Sequence, residues 1–325
     1  MPVLTMAQAL NQALGEALAA DPRVLVLGED VGRTGGVFRI TDGLQARFGE
    51  DRVVDTPVAE SGIVGAAFGL AVAGMRPIVE LQFMGFSWPA YDQVISHVSR
   101  IRNRSRHRFT APMVLRIPYG GGIGAAEHHS ESAEAVYAHT PGLKVVVPSS
   151  PADAKGLLTA AIADPDPVVF LEPIRVYRAL KEEVPDGPYA VPIGSARVLR
   201  EGTDVTLVAW GSMVREARHA AELLAERGVS AEIVDLRSLV PLDAETLVTS
   251  FRKTGRAVVA HEAPRTGGFA GEIIAVLQAR ALDSFAAPIA RVTGWDSVVP
   301  LKRSEHQYQP DAEAIAAAAL RTLVE

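Results

Sequence analysis

No cysteine occurs among the 325 residues, which excludes disulfides, thiolate metal sites and a cysteine nucleophile and leaves the fold to packing alone. Aromatic residues make up only 6% of the chain, so a local cluster of them stands out. Positive charge is not in excess: 32 Lys and Arg against 38 Asp and Glu give a formal net charge of −6. Such a field does not gather phosphate backbones, and no nucleic-acid partner is expected. The longest apolar run, Ile63 to Met75, falls short of the roughly 18 to 20 residues a bilayer span requires, so no membrane partner is expected. No Lys or Arg precedes Arg23. Neither a secretory n-region nor an Arg-rich transit peptide is read there, and the expectation is a cytoplasmic chain starting near Met1.

Several nucleotide and hydrolase motifs are missing as well. There is no Walker A sequence and no G-x-S-x-G elbow, which removes the main support for P-loop and α/β-hydrolase readings. The glycines after Glu60 are spaced Gly62-x-x-Gly65-x-x-x-Gly69. A dinucleotide fold needs G-x-G-x-x-G, and a carboxylate at the strand-to-helix turn would repel a pyrophosphate.

The chain is 48% hydrophobic, enough to bury the cores of two domains. Short β-branched runs at Arg23 to Gly28, Arg52 to Thr56, Pro77 to Gln82, Met113 to Ile117, Lys144 to Pro148 and Val168 to Glu172 read as buried strands. Helical patterns separate most of them, including one long helix within PAYDQVISHVSRIRNRS. Strands alternating with helices predict a mostly parallel, doubly wound sheet covered on both faces. The Pro, Gly and charge-rich text from Glu182 to Gly202 reads as a domain crossing, after which the alternation resumes from Val205 to the end. The organisation expected is a first domain over 1–185, a linker over 186–203 and a second α/β domain over 204–325.

Four stretches could carry chemistry. Glu60 opens a helix whose Gly62, Gly65, Gly69 and Gly74 each cost up to about 1 kcal/mol relative to Ala in a helix interior. Close approach of another helix or a ligand would offset that, although Glu60 alone could simply complement the helix dipole. Phe83, Phe86, Trp88 and Tyr91 could wall a ring-binding pocket or belong to core or interface. In GGGIGAAEHHSESAEA, residues 120–135, the loop follows a strand and so lies at the edge where open α/β sheets bind ligands. Its His128 and His129 lack a metal-ligand spacing among themselves or with His97, His107, His139, His219, His261 and His306. Proton transfer suits a loop histidine better, and a packing role stays open. The turn AADPDPVVFLE, with Pro165 and Pro167, leaves carbonyls that water, a monovalent cation or an ordinary turn would satisfy. The alternating Arg100, Arg102, Arg104, Arg106 and Arg108 read as a solvated face or a contact with an acidic partner.

Taken in order, LGEDVG, DTPVAE, FMGF before YDQVI, HHSES, PGLKVVVPS, DAKGLL, DPVVFLEP, VPIG, VDLRSLVPLD and HEAPRTGG resemble, essentially end to end, a known family. It is the beta subunit of the thiamine-diphosphate-dependent decarboxylating component of 2-oxo acid dehydrogenase complexes. The resemblance implies a pyrimidine-binding domain followed by a transketolase-type C-terminal domain. It also implies an alpha subunit partner in an α2β2 heterotetramer, with thiamine diphosphate shared between the subunits and magnesium held mainly by the alpha chain. By the same resemblance Glu60 bonds the aminopyrimidine ring nitrogen and favours the imino tautomer that takes the thiazolium proton. Phe86 contacts the aminopyrimidine face, and His129 faces the substrate and assists acyl transfer to the lipoyl group of a dihydrolipoyl acyltransferase core. No role is implied for His128. A potassium ion is implied on backbone oxygens of Met113, Ala161, Ile162, Asp164 and Asp166. Pyruvate is the favoured substrate. The alternatives are a branched-chain 2-oxo acid, an acetoin dehydrogenase beta subunit, or a non-catalytic scaffold or electron-transfer subunit.

Overall fold

The computed structural model describes residues 1–324. Three sheets organise them. The first has seven strands, in the order Ser238–Val240, Lys144–Val146, Val168–Pro173, Val114–Tyr119, Arg76–Glu80, Val24–Gly28 and Val53–Asp55. All neighbours run parallel except the first pair. Every residue of Val24–Gly28, Val114–Tyr119 and Val168–Pro173 is buried. That is why these strands read as continuous apolar runs: helices cover a parallel sheet on both faces. The second sheet has five strands, ordered Ala290–Gly294, Ala257–Pro264, Val205–Ala209, Ala231–Asp235 and Arg197–Arg200, with only the last pair antiparallel. A two-stranded ribbon pairs Val3–Thr5 with Lys181–Glu183.

Helix boundaries follow local chemistry. Thr5 and Gln8 form a reciprocal capping box that starts helix Met6–Ala20. Ser150 caps Pro151–Ala163, with proline in the first turn, where no intrahelical N–H is needed. Asp243 caps Ala244–Thr254, which stops at Gly255 in the left-handed conformation. The long helix expected within PAYDQVISHVSRIRNRS is instead broken into Trp88–Gln93, a π-turn at Val94–Val98 and Ile101–Arg104. The wide turn inserts where Ser99 N–H bonds back to the Val94 carbonyl.

Two strands cross the expected domain organisation. Arg197–Arg200, at the end of the segment read as a linker, pairs with Ala231–Asp235. Ser238–Val240, from the second half of the chain, closes the edge of the first sheet against Lys144–Val146. The domains also share apolar packing. One core cluster runs from Leu25, Val79 and Tyr119 to Trp210, Val234 and Phe251. No described helix is long and apolar enough to cross a membrane.

Candidate active site

Four adjacent parallel strands deliver the candidate residues to one edge of the first sheet. Glu29 follows Val24–Gly28, Glu60 follows Val53–Asp55, the FMGF turn follows Arg76–Glu80, and the histidine loop follows Val114–Tyr119. The carboxyl ends of strands are where open α/β sheets bind ligands. Glu60 is half-buried and opens helix Glu60–Val72, whose N-cap is Ala59 without a side-chain hydrogen bond. The glycines of that helix do not all approach a neighbour as expected. A Cβ at Gly65 would lie 3.4 Å from Gln93 Oε1, whereas one at Gly69 would meet nothing within 4 Å among the described residues.

Glu29 is the residue that the sequence reading missed. It is buried, its Oε1 has no hydrogen-bond partner among the described residues, and burial pushes its carboxyl above the ordinary range, helped by the charges of Glu60 and Asp30. Its signal was visible in LGEDVG, where a carboxylate follows a buried strand directly, as Glu60 nearly does.

The aromatic cluster divides. Phe83 is buried and meets Phe86 edge-on at 5.6 Å and Phe38 at 5.4 Å, and Phe38 in turn lies 5.0 Å from Tyr177. His129 lies between Phe83 and Phe86, with ring centroids 4.6 and 5.0 Å away, both edge-to-face. Trp88 and Tyr91 point elsewhere: Trp88 Nε1 donates to Glu131 at 2.7 Å, and Tyr91 packs on Tyr137. The cluster is thus part site wall and part scaffold.

The two histidines are unequal. His129 is partly buried, its Nδ1 lacks a partner among the described residues, and burial lowers its pKa from the ordinary value, with His128 contributing. An imidazole kept neutral near pH 7 can take or pass a proton. His128 is exposed and lies 3.6 Å from Glu127. Gly85 explains how closely the loop sits on the aromatic turn, because a Cβ there would lie 2.1 Å from the His128 carbonyl oxygen. Beside the loop opens a cleft of about 450 Å³, lined by Trp88, Glu131, Pro264, Asp296 and Tyr308 among others.

The orphaned Glu29 and His129 atoms, the aromatic wall and half-buried Glu60 suit a polar heteroaromatic ring, whose nitrogens would meet the carboxyls while its face meets Phe86. Among the described residues no group of three or more His, Cys, Asp or Glu side chains is arranged to hold a metal ion.

The turn expected to carry potassium lies at the other end of the same strands. Met113 and Val168 are joined there by a backbone hydrogen bond of 3.0 Å. The Ala161 carbonyl accepts from Asp164 N–H at 3.3 Å. Arg76 Nη1 donates to the carbonyls of Ile162 at 2.7 Å and Asp164 at 3.3 Å. Asp166 pairs with Arg102 Nε at 2.6 Å, and Lys144 pairs with Asp164. Two members of the arginine run therefore bond within the chain, Arg102 to Asp166 and Arg104 to the Ser96 carbonyl at 2.7 Å, whereas Arg100, Arg106 and Arg108 are exposed.

Similarities to known proteins cover both halves of the chain. The family described as transketolase, pyrimidine binding domain, matches residues 3–179, and transketolase, C-terminal domain, matches residues 194–315. A pyruvate dehydrogenase E1 component subunit beta from Acholeplasma laidlawii is 53% identical over 317 residues, covering 98% of this chain and 97% of that protein. Its namesake from Staphylococcus epidermidis is 50% identical over 323 residues, 99% of each chain. Among solved structures, a split gene transketolase described as an inactive beta4 tetramer matches with a TM-score of 0.82 at 25% identity, covering 99% of both chains. With identity near one half over nearly its whole length and both domains matched, the chain belongs to the family of pyruvate dehydrogenase E1 component beta subunits.

Proposed function

We propose that this chain, paired with an alpha subunit as α2β2, carries out thiamine-diphosphate-dependent oxidative decarboxylation of pyruvate and acylation of a lipoyl group on an acyltransferase core. The observation that carries the reading is the convergence of Glu29, Glu60, Phe86 and His129 on the carboxyl ends of four neighbouring strands. When bound, thiamine diphosphate supplies a nucleophilic thiazolium carbon and the electron sink for loss of carbon dioxide.

Glu60 holds the aminopyrimidine by sharing a proton with its ring nitrogen. Glu29, whose carboxyl is pushed up by burial and by the charge of Glu60, keeps its proton to higher pH than an ordinary carboxyl and so can offer an O–H to the same ring. Phe86 presents an apolar surface to that ring. His129, between Phe83 and Phe86, exchanges a proton with the substrate oxygen and with the lipoyl sulfur during acyl transfer. The rings around it limit water at that point. Magnesium and the diphosphate belong to the alpha chain in this reading. Potassium would use the second lone pairs of the carbonyls at Met113, Ala161, Ile162, Asp164 and Asp166, bracing the sheet far from the reacting atoms.

The test is reconstitution with a cognate alpha subunit, followed by cofactor-dependent decarboxylation of pyruvate and of 3-methyl-2-oxobutanoate with an artificial electron acceptor. Pyruvate is expected to be the faster substrate. An intact tetramer inert toward both would sink the proposal. Glu60→Gln keeps the shape and one acceptor but loses the shared proton, and is expected to lower turnover by at least about 100-fold while leaving assembly intact. Unchanged turnover would remove Glu60 from the mechanism.

A further inference from the structure

The loop that carries His129 is held from outside its own domain. Gly120, Gly122 and Gly124 all adopt left-handed backbone, with φ of 87°, 92° and 72°, and this turns successive amides toward the second domain. Gly121 N–H donates to Glu262 Oε2 at 3.2 Å. Gly122 N–H donates to Glu305 Oε1 at 2.5 Å, and Gly124 N–H to Glu305 Oε2 at 2.8 Å. One carboxylate thus takes two backbone donors from the loop, one on each oxygen. Glu305 is 5% exposed and opens the short helix Glu305–Tyr308.

The fit allows little slack. A Cβ at Gly122 would lie 2.0 Å from Arg175 Cδ, and Arg175 is itself fixed by Gln309 at 3.2 Å and Glu216 at 3.0 Å. The far arm of the loop is also anchored. Gly120 N–H bonds the Glu131 carbonyl at 2.9 Å, and Trp210 Nε1 donates to Glu134 at 3.2 Å. Between these anchors lie Ala125 to Ser130, with His129 among them. Among the described residues, no acceptor from the first domain serves the Gly122 and Gly124 amides in place of Glu305.

We propose that Glu305 is a positioning residue: its carboxylate holds the glycine arm of the histidine loop and so sets where His129 stands against Phe83 and Phe86. The consequence for catalysis rests on the proposed acyl-transfer role of His129, whereas the hold on the loop does not. Hydrogen bonds to a charged carboxylate are roughly twice as strong as neutral ones, and losing two of them frees the segment by local opening.

The experiment uses the assembled alpha-beta enzyme with Glu305→Ala, Glu305→Gln and His129→Ala. Amide hydrogen exchange over residues 120–132 is expected to speed up by about tenfold or more in Glu305→Ala, and by less in Glu305→Gln, which keeps one carbonyl acceptor. Lipoyl-dependent turnover is expected to fall about tenfold in Glu305→Ala, with a loss under about threefold in the artificial-acceptor assay and substantial recovery in Glu305→Gln. Unchanged exchange in Glu305→Ala would overturn the proposal, whatever the activity. So would a His129→Ala enzyme that loses lipoyl-dependent turnover beside a Glu305→Ala enzyme that keeps it. If His129→Ala loses nothing, the acyl-transfer reading falls while faster exchange in Glu305→Ala still upholds the hold on the loop. If Glu305→Ala does not assemble, Glu305→Gln carries the exchange measurement alone, and wild-type rates in it would overturn the proposal.

Discussion

Two groups of buried acids lie in this chain, and they are compensated differently. Inside the first sheet, Arg116 is fully buried and donates to Glu172 at 2.7 and 2.9 Å and to Glu80 at 2.7 Å. Tyr177 adds a hydroxyl donor to Glu172 at 2.5 Å. Burial opposes the charge on Arg116, yet Glu172 and Glu80 hold its pKa above the ordinary value. At the domain junction, Glu262 and Glu305 accept from backbone amides of the glycine loop, and Glu134 accepts from the Trp210 indole N–H. Burial, followed in Glu134 by the nearby Glu262, pushes Glu134 up to about 7 and raises Glu262. Asp235, also buried, is pushed up to about 7 although Ser149 and Arg237 N–H bond it. A guanidinium ties the first group together across three neighbouring strands. In the second group burial wins instead: Glu134 is pushed up to about 7 and Glu262 is raised although the Arg175 charge opposes the rise.

Removing the guanidinium should break that contrast most severely. Arg116→Met leaves two buried carboxylates unpaired and is expected to cost about 3 to 5 kcal/mol, read as a lowered urea midpoint or loss of soluble tetramer. A midpoint within error of wild type would mean that the triad is not what ties these strands together. At the junction, Glu134 should respond to pH instead. A carboxyl whose folded-state pKa is raised binds more protons folded than unfolded between its ordinary and raised values, so its contribution to stability falls as pH climbs through that window. For Glu134 the window runs from 4.5 to about 7. Glu134→Gln, which keeps an acceptor for Trp210, is expected to match wild type below pH 4.5 and to be more stable at pH 8. The gain is at most about 3 kcal/mol, the equivalent of that shift, measured by urea unfolding at the two pH values. Equal stabilities at pH 8 would contradict the raised pKa. The smallest effect belongs to Glu80→Gln. Burial already raises the Glu80 pKa, and a Gln carbonyl still accepts from Arg116, so the cost should stay below about 1 kcal/mol in the same assay. A loss as large as that of Arg116→Met would make the two carboxylates equivalent partners.

The buried strands of both sheets were legible because a strand covered on both faces must be apolar throughout, as in VLVLG and VTLVA. The short strands Val3–Thr5, Lys181–Glu183, Arg197–Arg200 and Ser238–Val240 were not read. Unlike the equally short Val53–Asp55 and Lys144–Val146, they were not marked by a β-branched run that reads as a buried strand, and their identity as strands depends on distant partners. The π-turn at Val94–Val98 was hidden for a similar reason, since its residues keep a helical pattern of apolar side chains. At the site, Glu60, Phe86 and the histidine loop could be named because each follows a strand at a turn. Glu29 obeyed the same rule and was passed over. Glu305 gave no such signal, lying far along the chain between a loop and a four-residue helix.

By itself, then, the order of apolar runs, caps and glycines determined two parallel α/β sheets and which turns would lie at their carboxyl edges, because periodicity and capping are local properties of neighbouring residues. Tertiary structure alone decided that His129 rather than His128 stands between two phenylalanines, that Arg76 caps the carbonyls of the proline turn, and that a glutamate from the second domain holds the loop of the first. Those pairings join residues up to 183 positions apart. Hydrogen bonding and desolvation depend on distance in space, and no local pattern encodes that distance.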